Sequence, residues 1–318
     1  MLQQTQVETV KSYYAKFLKA FPNVRRLAAA DEEKVLRLWE GLGYYRRARQ
    51  LHAAAQKIVD EHGGKFPTDF DSVLALPGIG RYTAGAILSL SLDQRLPIVE
   101  ANTIRLYSRL IGYQEDPIKS AGQKVLWQFA EEILPKKNCG ELNSAMMDLG
   151  SMICKPQDPN CSECPVASLC TARLEGLVDE IPLPKQKTKY TDVTEAAVVV
   201  RSRGKVLVRR CAEGERWAGL WDFPRTSVTA KTDPKLHREL TAAVKKQTGV
   251  AIKLGEKMTT MRHGVTRYRI TLHCFDAQPA TGSKKSTANQ KWLKVSELQD
   301  LPLSVTGRKI SEILQTPL

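Results

Sequence analysis

The sequence predicts a two-part chain, an all-α module followed by a smaller α+β module. Three observations predict it. Apolar residues recur at helical spacing, without a strand pattern, up to about residue 172. Composition shifts between 173 and 192, where Ile181-Pro182-Leu183-Pro184-Lys185-Gln186-Lys187-Thr188-Lys189 is Pro- and Lys-rich and aperiodic, as a linker is. Beyond it, alternating apolar runs surround one helical stretch. The expected limits are 1–172, a linker over 173–192, and 193–318. A length of 318 residues suits two domains at ~100–200 residues each.

In the first module, Val7 to Leu18 carries apolar residues at helical spacing. Asp31 to Trp39 has acids in its first turn, which suits a helix N-terminus. Arg46 to His62 forms a helix closed by Gly63-Gly64. Further helices fit Phe70–Ala75, Tyr82–Ser91, Ile104–Leu110, Ala121–Ile133 and Leu142–Met152. In the second module, Ala196–Val200 and Lys205–Arg209 flank Ser202-Arg203-Gly204 as a hairpin. Leu236–Gln247 reads as a helix ending before Gly249, and Tyr268–Phe275 as a strand.

Hydrophobic residues at 42% and charged residues at 26% exclude wholesale disorder. No apolar run approaches the ~18 residues of a membrane span. No basic start precedes an apolar stretch, so no secretory signal is read, and a cytoplasmic protein is expected. Lys and Arg outnumber Asp and Glu by 48 to 34, a net charge of +14, which implies a polyanionic partner such as nucleic acid.

Seven cysteines are present, an odd number that argues against a disulfide framework. Cys154, Cys161, Cys164 and Cys170 follow C-x6-C-x2-C-x5-C. Four thiolates complete the shell of a zinc ion or of an iron–sulfur cluster, and the spacing alone leaves both open, beside four unrelated buried thiols.

Leu76-Pro77-Gly78-Ile79-Gly80-Arg81-Tyr82 lies between two helices. Gly78 and Gly80 allow a tight turn, Ile79 anchors it, and the N–H groups of the helix that follows suit a phosphate. An αα-corner without a ligand is the plainer reading. About twenty residues on, Glu100 opens a helix. A carboxylate there can stabilise an oxocarbenium-like sugar when an N-glycosidic bond breaks, or it can simply cap the helix.

Together these residues resemble the endonuclease III superfamily of base-excision glycosylases. Within it, Met1-Leu2-Gln3-Gln4-Thr5-Gln6-Val7, Gly41-Leu42-Gly43-Tyr44-Tyr45 and Ala145-Met146-Met147-Asp148-Leu149-Gly150 are similar to the adenine DNA glycosylases. That resemblance implies an all-α helix–hairpin–helix glycosylase domain with an iron–sulfur loop, followed by an α+β Nudix-like domain. It implies a monomeric, nucleoid-associated repair enzyme that hydrolyses adenine from double-stranded DNA at A·8-oxoguanine or A·G mispairs. It also implies a structural 4Fe–4S cluster on the four cysteines, ordering a loop that bears Lys155 near DNA.

Carried over residue by residue, Glu100 takes the place of the family's usual aspartate. Asn102 matches an asparagine that places nucleophile and base, and Tyr82 directs a hydroxyl at the sugar cation. Relatives with lyase activity have a lysine at that position, so Tyr82 implies a monofunctional enzyme and disfavours a lyase acting on damaged pyrimidines. Gln3, Gln4, Thr5 and Leu42 match residues that grip the damaged pair. Tyr44 matches the wedge that fills the stack, although a core aromatic is its plainer reading. Ser144 stands where many relatives have Glu or Gln.

Gly219-Leu220-Trp221-Asp222-Phe223-Pro224 resembles a Nudix stretch. Arg238-Glu239-Leu240-Thr241-Ala242-Ala243 has alanines where a Nudix hydrolase has magnesium-binding glutamates, so no pyrophosphatase activity is expected. Thr266, in Arg262-His263-Gly264-Val265-Thr266-Arg267-Tyr268, matches the residue that meets 8-oxoguanine. A solvated hairpin edge is the alternative reading. The resemblance places the family's general acid, a glutamate, two residues before Met1, and a start codon set too far downstream is the expectation. A non-enzymatic mismatch-binding protein lacking that acid is the alternative function.

Overall fold

A computed structural model of the chain describes residues 1–3, 5–183, 189–230, 232–280 and 286–316. Gln4 and the 184–188 part of the expected linker lie outside them. The helices are α1 (Val7–Ala20), α2 (Val24–Ala28), α3 (Glu32–Trp39), α4 (Arg46–His62), α5 (Phe70–Leu74), α6 (Arg81–Leu92), α7 (Ala101–Leu110), α8 (Ser120–Glu132), α9 (Cys139–Asp148), α10 (Thr171–Leu174), α11 (Asp233–Thr248) and α12 (Val305–Gln315). The strands are β1 (Thr191–Ser202), β2 (Lys205–Arg210), β3 (Trp221–Asp222), β4 (Arg225–Ser227), β5 (Ile252–Val265), β6 (Tyr268–Pro279) and β7 (Gln290–Lys294). The order is helical first and mixed thereafter. Among the described residues, no helix is long and apolar enough to cross a membrane.

Two compact units emerge, and they cut the chain elsewhere than the expected limits. One holds residues 60–187 and the other joins 1–59 to 188–318. In the 60–187 unit, two apolar clusters carry the helices. Val73, Ala84 and Leu88 gather Ile79 at the hairpin, and Val99, Leu106, Tyr107, Leu126 and Cys154 lie beneath α7 and α8. Gly140 lets α9 approach α6, since a Cβ there would sit 2.5 Å from the Ser89 carbonyl oxygen. Asp93 ends α6 at a left-handed φ of 53°. Its carboxylate accepts the N–H groups of Asn138 (2.8 Å) and Gly140 (3.0 Å) at the start of α9.

In the second unit, the continuous apolar run Ala196–Val200 is explained by a strand buried on both faces. Ala197 and Val199 enter one cluster with Val206, Trp221, Phe223, Leu272 and Ile310. Ala196, Val198 and Val200 enter the other with Leu240 and Val244 of α11. Sheet order is β3-β2-β1-β6-β5, with β1 and β6 parallel. Residues 1–59 join this unit through packing and charge. Leu220 sits in the core cluster of α1, α3 and α4, with Trp217 against it. Glu32 pairs with Arg210 at 2.8 Å, and Glu33 accepts the Trp221 indole N–H at 2.9 Å.

Glu195 and Asp222 are buried beside Arg225, whose side chain is 9% exposed. Glu195 also takes Arg216 at 2.6 Å, and Asp222 accepts the Ser304 hydroxyl at 2.7 Å. Removing one member leaves a buried charge uncompensated. Glu195→Ala should therefore lower unfolding free energy by about 3–5 kcal/mol, read by urea denaturation, and a loss below ~1 kcal/mol would contradict a tight network.

The N–H donors of Gly140 and Asn138 hold the Asp93 carboxyl below the usual carboxylate range. A depressed acid stabilises the fold above its unfolded pKa and loses that effect as pH falls through the folded one. The stability gap between parent and Asp93→Ala should therefore be widest near neutrality and close as pH drops below about 4, followed by urea titrations across pH.

Candidate functional site

The 60–187 unit presents its hairpin at Gly78, where φ is 80°. Only this glycine needs the left-handed region. Gly80 has φ −101°, and a Cβ on it would meet nothing within 4 Å. Its role is to leave the start of α6 bare, since it caps that helix without a side chain. Two residues on, Tyr82 is half-buried. Burial first, and then the charge of Glu100, raises its phenol above the ordinary value. The approach of α6 to the segment leading into Glu100 depends on Gly85, because a Cβ there would lie 2.6 Å from the Pro97 carbonyl oxygen.

Glu100 is the N-cap of α7. Its Oε1 accepts the N–H groups of Asn102 (2.8 Å) and Thr103 (3.0 Å), while its own N–H donates to Thr103 Oγ1 at 2.7 Å. This is a reciprocal capping box. Asn102 Oδ1 accepts from Arg105 Nη2 at 3.1 Å. The same guanidinium donates to the carbonyls of Gly150 (2.5 Å) and Cys154 (2.7 Å). Gly150 lies in a π-helical turn, Leu149–Ile153, and a Cβ on it would stand 3.1 Å from Asn102 Cβ. Sequence reasoning gave no role to Arg105 or Gly85, and marked Gly150 only as part of a family-like stretch. The helical spacing of Arg105 from Glu100 gave no hint of carbonyls lying 45 to 49 residues away. Ser144 is exposed on α9.

Cys154, Cys161, Cys164 and Cys170 all line one cavity, together with Arg109 and Leu106. Arg109 Nη1 lies 3.4 Å from Cys154 Sγ, and Cys170 Sγ donates to the Arg109 carbonyl at 3.4 Å. Burial, then the neighbouring Cys154 and Cys170, raises the Cys161 thiol. Four such sulfurs can be thiolates together only with cationic compensation. Among the described residues, no three of His, Cys, Asp and Glu are grouped as ligands of a metal ion. Four thiols round one cavity are a donor set that fits a thiolate-bound metal group, a 4Fe–4S cluster or a zinc ion alike.

In the other unit, the 41–45 loop is built around Gly41 (φ 92°), Gly43 (φ 76°) and Tyr44 (φ 49°). The Tyr44 ring is 55% exposed, with Arg47 5.2 Å from its centre, which removes the core-aromatic reading. Leu42 differs from expectation: the residue is 6% exposed and lies in the helical core. Arg47, given no role in the sequence reading, organises the region. It donates to the carbonyls of Met1 and Gln3, to Thr5 Oγ1 at 2.9 Å and to the Gly43 carbonyl at 3.4 Å. Gln3 and Thr5 are thus brought to the loop that carries Tyr44. Thr266 sits at the β5–β6 turn, exposed, with φ 50°, rare for a β-branched residue. Arg267 and Arg216 each lie 5.3 Å over the Tyr268 ring beside it. Glu239, in the Nudix-like stretch, accepts the N–H groups of Thr229 and Ala230.

Residues 1–132 match the HhH-GPD superfamily of base excision DNA repair proteins, and residues 195–312 match the NUDIX domain. The adenine DNA glycosylase of Buchnera aphidicola subsp. Schizaphis graminum is 34% identical over 322 residues, covering 99% of this chain and 89% of the relative. That of Mus musculus is 32% identical over 361 residues, covering 98% and 69%. The solved structure of a thermostable thymine-DNA glycosylase superposes with a TM-score of 0.50 at 28% identity, covering 55% of this chain and 80% of that one. With its helix–hairpin–helix segment, its Nudix domain and this nearly full-length identity, the chain belongs to the adenine DNA glycosylases.

Proposed function

We propose that the chain binds double-stranded DNA and hydrolyses the N-glycosidic bond of adenine opposite 8-oxoguanine or guanine, without lyase activity. Residues 1–172 carry the excision and 193–318 inspect the opposite base, joined by 173–192. The observation that carries this reading is Glu100, its Oε1 tied to two N–H groups at the mouth of α7 and its charge felt by Tyr82.

The bare start of α6 and the surplus of basic residues hold phosphate. Gln3, Gln4 and Thr5 grip the pair, and Tyr44 fills the gap left by the flipped adenine. As the sugar–adenine bond breaks, positive charge gathers on the sugar, and Glu100 stabilises it. Tyr82 turns its hydroxyl toward the same charge. Asn102, its Oδ1 held by Arg105, fixes the attacking group. Tyr82 has no amine, so no Schiff base forms and the product is an abasic site. Thr266, at its strained turn, meets the base opposite. Cys154, Cys161, Cys164 and Cys170 would hold a 4Fe–4S cluster, which supplies rigidity to the loop bearing Lys155 and takes no part in hydrolysis.

The test is adenine release from duplexes with A·8-oxoguanine and A·G pairs, using the full protein. Tight binding of the mispair without release would favour the mismatch-binding alternative, and a borohydride-trapped adduct would revive a lyase.

Glu100→Gln keeps an oxygen for the α7 cap and removes the charge. Excision should fall by about 10²–10⁴-fold while melting temperature barely moves. If melting temperature and activity drop together, Glu100 is only a cap. Anaerobically purified protein should carry roughly four irons per chain, and Cys161→Ser should lose most of that iron in a colorimetric assay. Zinc in their place would overturn the cluster.

A further inference from the structure

One carboxylate joins the β-domain to the root of the Tyr44 loop. Glu40 ends α3, directly before Gly41, and its side chain is 8% exposed. Arg308 of α12 grips it with a fork, Nε to Oε1 at 2.6 Å and Nη2 to Oε2 at 3.0 Å. The Leu303 N–H donates to the same Oε2 at 3.2 Å, and Arg37 Nη1 stands 3.4 Å from it. The other side of the Arg308 fork is saturated by the carbonyls of Leu298 (3.0 Å) and Leu301 (2.8 Å). A bidentate, largely desolvated guanidinium–carboxylate pair is directional as well as strong, so it fixes orientation and not merely proximity.

What it orients is specific. The loop after Glu40 returns through Tyr45, whose hydroxyl accepts the Gly41 N–H at 3.1 Å, while Trp39 Nε1 donates to the Gly43 carbonyl at 3.1 Å. Gly41 and Gly43 have backbones that side-chain sterics hardly restrain. The loop therefore takes its set from its anchors, and among the described residues Glu40 is the anchor that reaches α12. Thr266 and Arg308 belong to the same compact unit as Tyr44.

We propose that the Glu40–Arg308 fork is a specificity-determining contact: it seats the Tyr44 loop on the β-domain, so that the domain's engagement of the base opposite adenine sets the position of the wedge. This rests on the function proposed above. Glu40 and Arg308 are positioning residues, and neither touches the reacting atoms. With the fork broken, the loop loses its tie to the domain, and adenine excision loses its dependence on the opposite base.

The experiment compares the parent with Glu40→Ala, and with Arg308→Lys, which keeps the charge and loses the fork, in case the first does not fold. In Glu40→Ala, single-turnover excision opposite guanine should stay within ~2-fold of the parent while excision opposite 8-oxoguanine falls about 10-fold, a coupling of ordinary size. Hydrogen exchange at residues 41–45 of the free protein should quicken about 10-fold in both variants. An unchanged ratio between the duplexes, or an equal slowing on both, overturns the proposal, as does unchanged loop exchange. A parent that leaves adenine in place on both duplexes overturns the proposed function instead. Loop exchange then decides the fork by itself, supported by a rise and refuted by none.

Discussion

Burying the Arg105 guanidinium constrains everything around the first turn of α7. At 8% exposure the charge must find acceptors inside the protein, and desolvation pulls its pKa down from the ordinary value. It finds the Cys154 and Gly150 carbonyls and Asn102 Oδ1. Meeting all three requires the chain to deliver two carbonyls, four residues apart, to one face of α7. A regular α-helix keeps its carbonyls for its own ladder. The π-helical turn over Leu149–Ile153 alters that ladder just where Gly150 must give its oxygen away. Arg109 repeats the device one turn on, donating to the carbonyls of Lys155 and Ile181. The cysteine segment is thereby lashed to the helix that Glu100 opens, mainly through its backbone carbonyls.

What could be read beforehand follows from range. The limits of α4 were legible to the residue, because Arg46–His62 carries a full amphipathic period and Gly63-Gly64 behind it. The hairpin and the gathering of four cysteines were legible too, since their signals lie within a few residues. Strand β5 was not. Its residues from Lys253 to His263 are largely polar, and it takes its shape from a long register with β6, including two irregularities near Lys257. The short α2 fell below any periodicity, being five residues held by the Asn23 cap. The burial of Leu42 was not legible, because a single apolar residue between two glycines says nothing about the side on which its Cβ emerges. At the site, the residue types at 82, 100 and 102 were visible, but their supports were not. Arg47, Arg105 and Arg308 act on partners 42 to 268 residues distant.

The same limitation accounts for the unit boundary. Helical spacing recurs from Val7 to about residue 172 with no strand pattern between, so a sequence reading keeps those helices together. Packing follows a different criterion. Leu220 is fully buried in the core of α1, α3 and α4, and Trp217 lies against it, so burying that apolar surface requires the β-domain. The acids of α3 then find partners in Arg210, Lys291 and the Trp221 indole. An amphipathic pattern records how much of a helix is apolar and not which element covers it. The surplus acid at the start of α3 could equally have been a helix-dipole signature, and it serves both purposes.

Glu100 raises the question whether a helix cap can also be a reacting carboxylate. A free glutamate side chain explores many rotamers, and a group meant to face a transient sugar cation is most effective when it has already lost them. The cap removes that freedom through Oε1 alone, with bonds of 2.8 and 3.0 Å. A carboxylate shares its charge between two oxygens, so pinning one aims the other without neutralising the group. Those two N–H donors also satisfy the open end of α7. On the function proposed for Glu100, capping and catalysis would be one geometry read at two atoms. Behind it, the Thr103 hydroxyl accepts the Glu100 N–H at 2.7 Å and closes the ring.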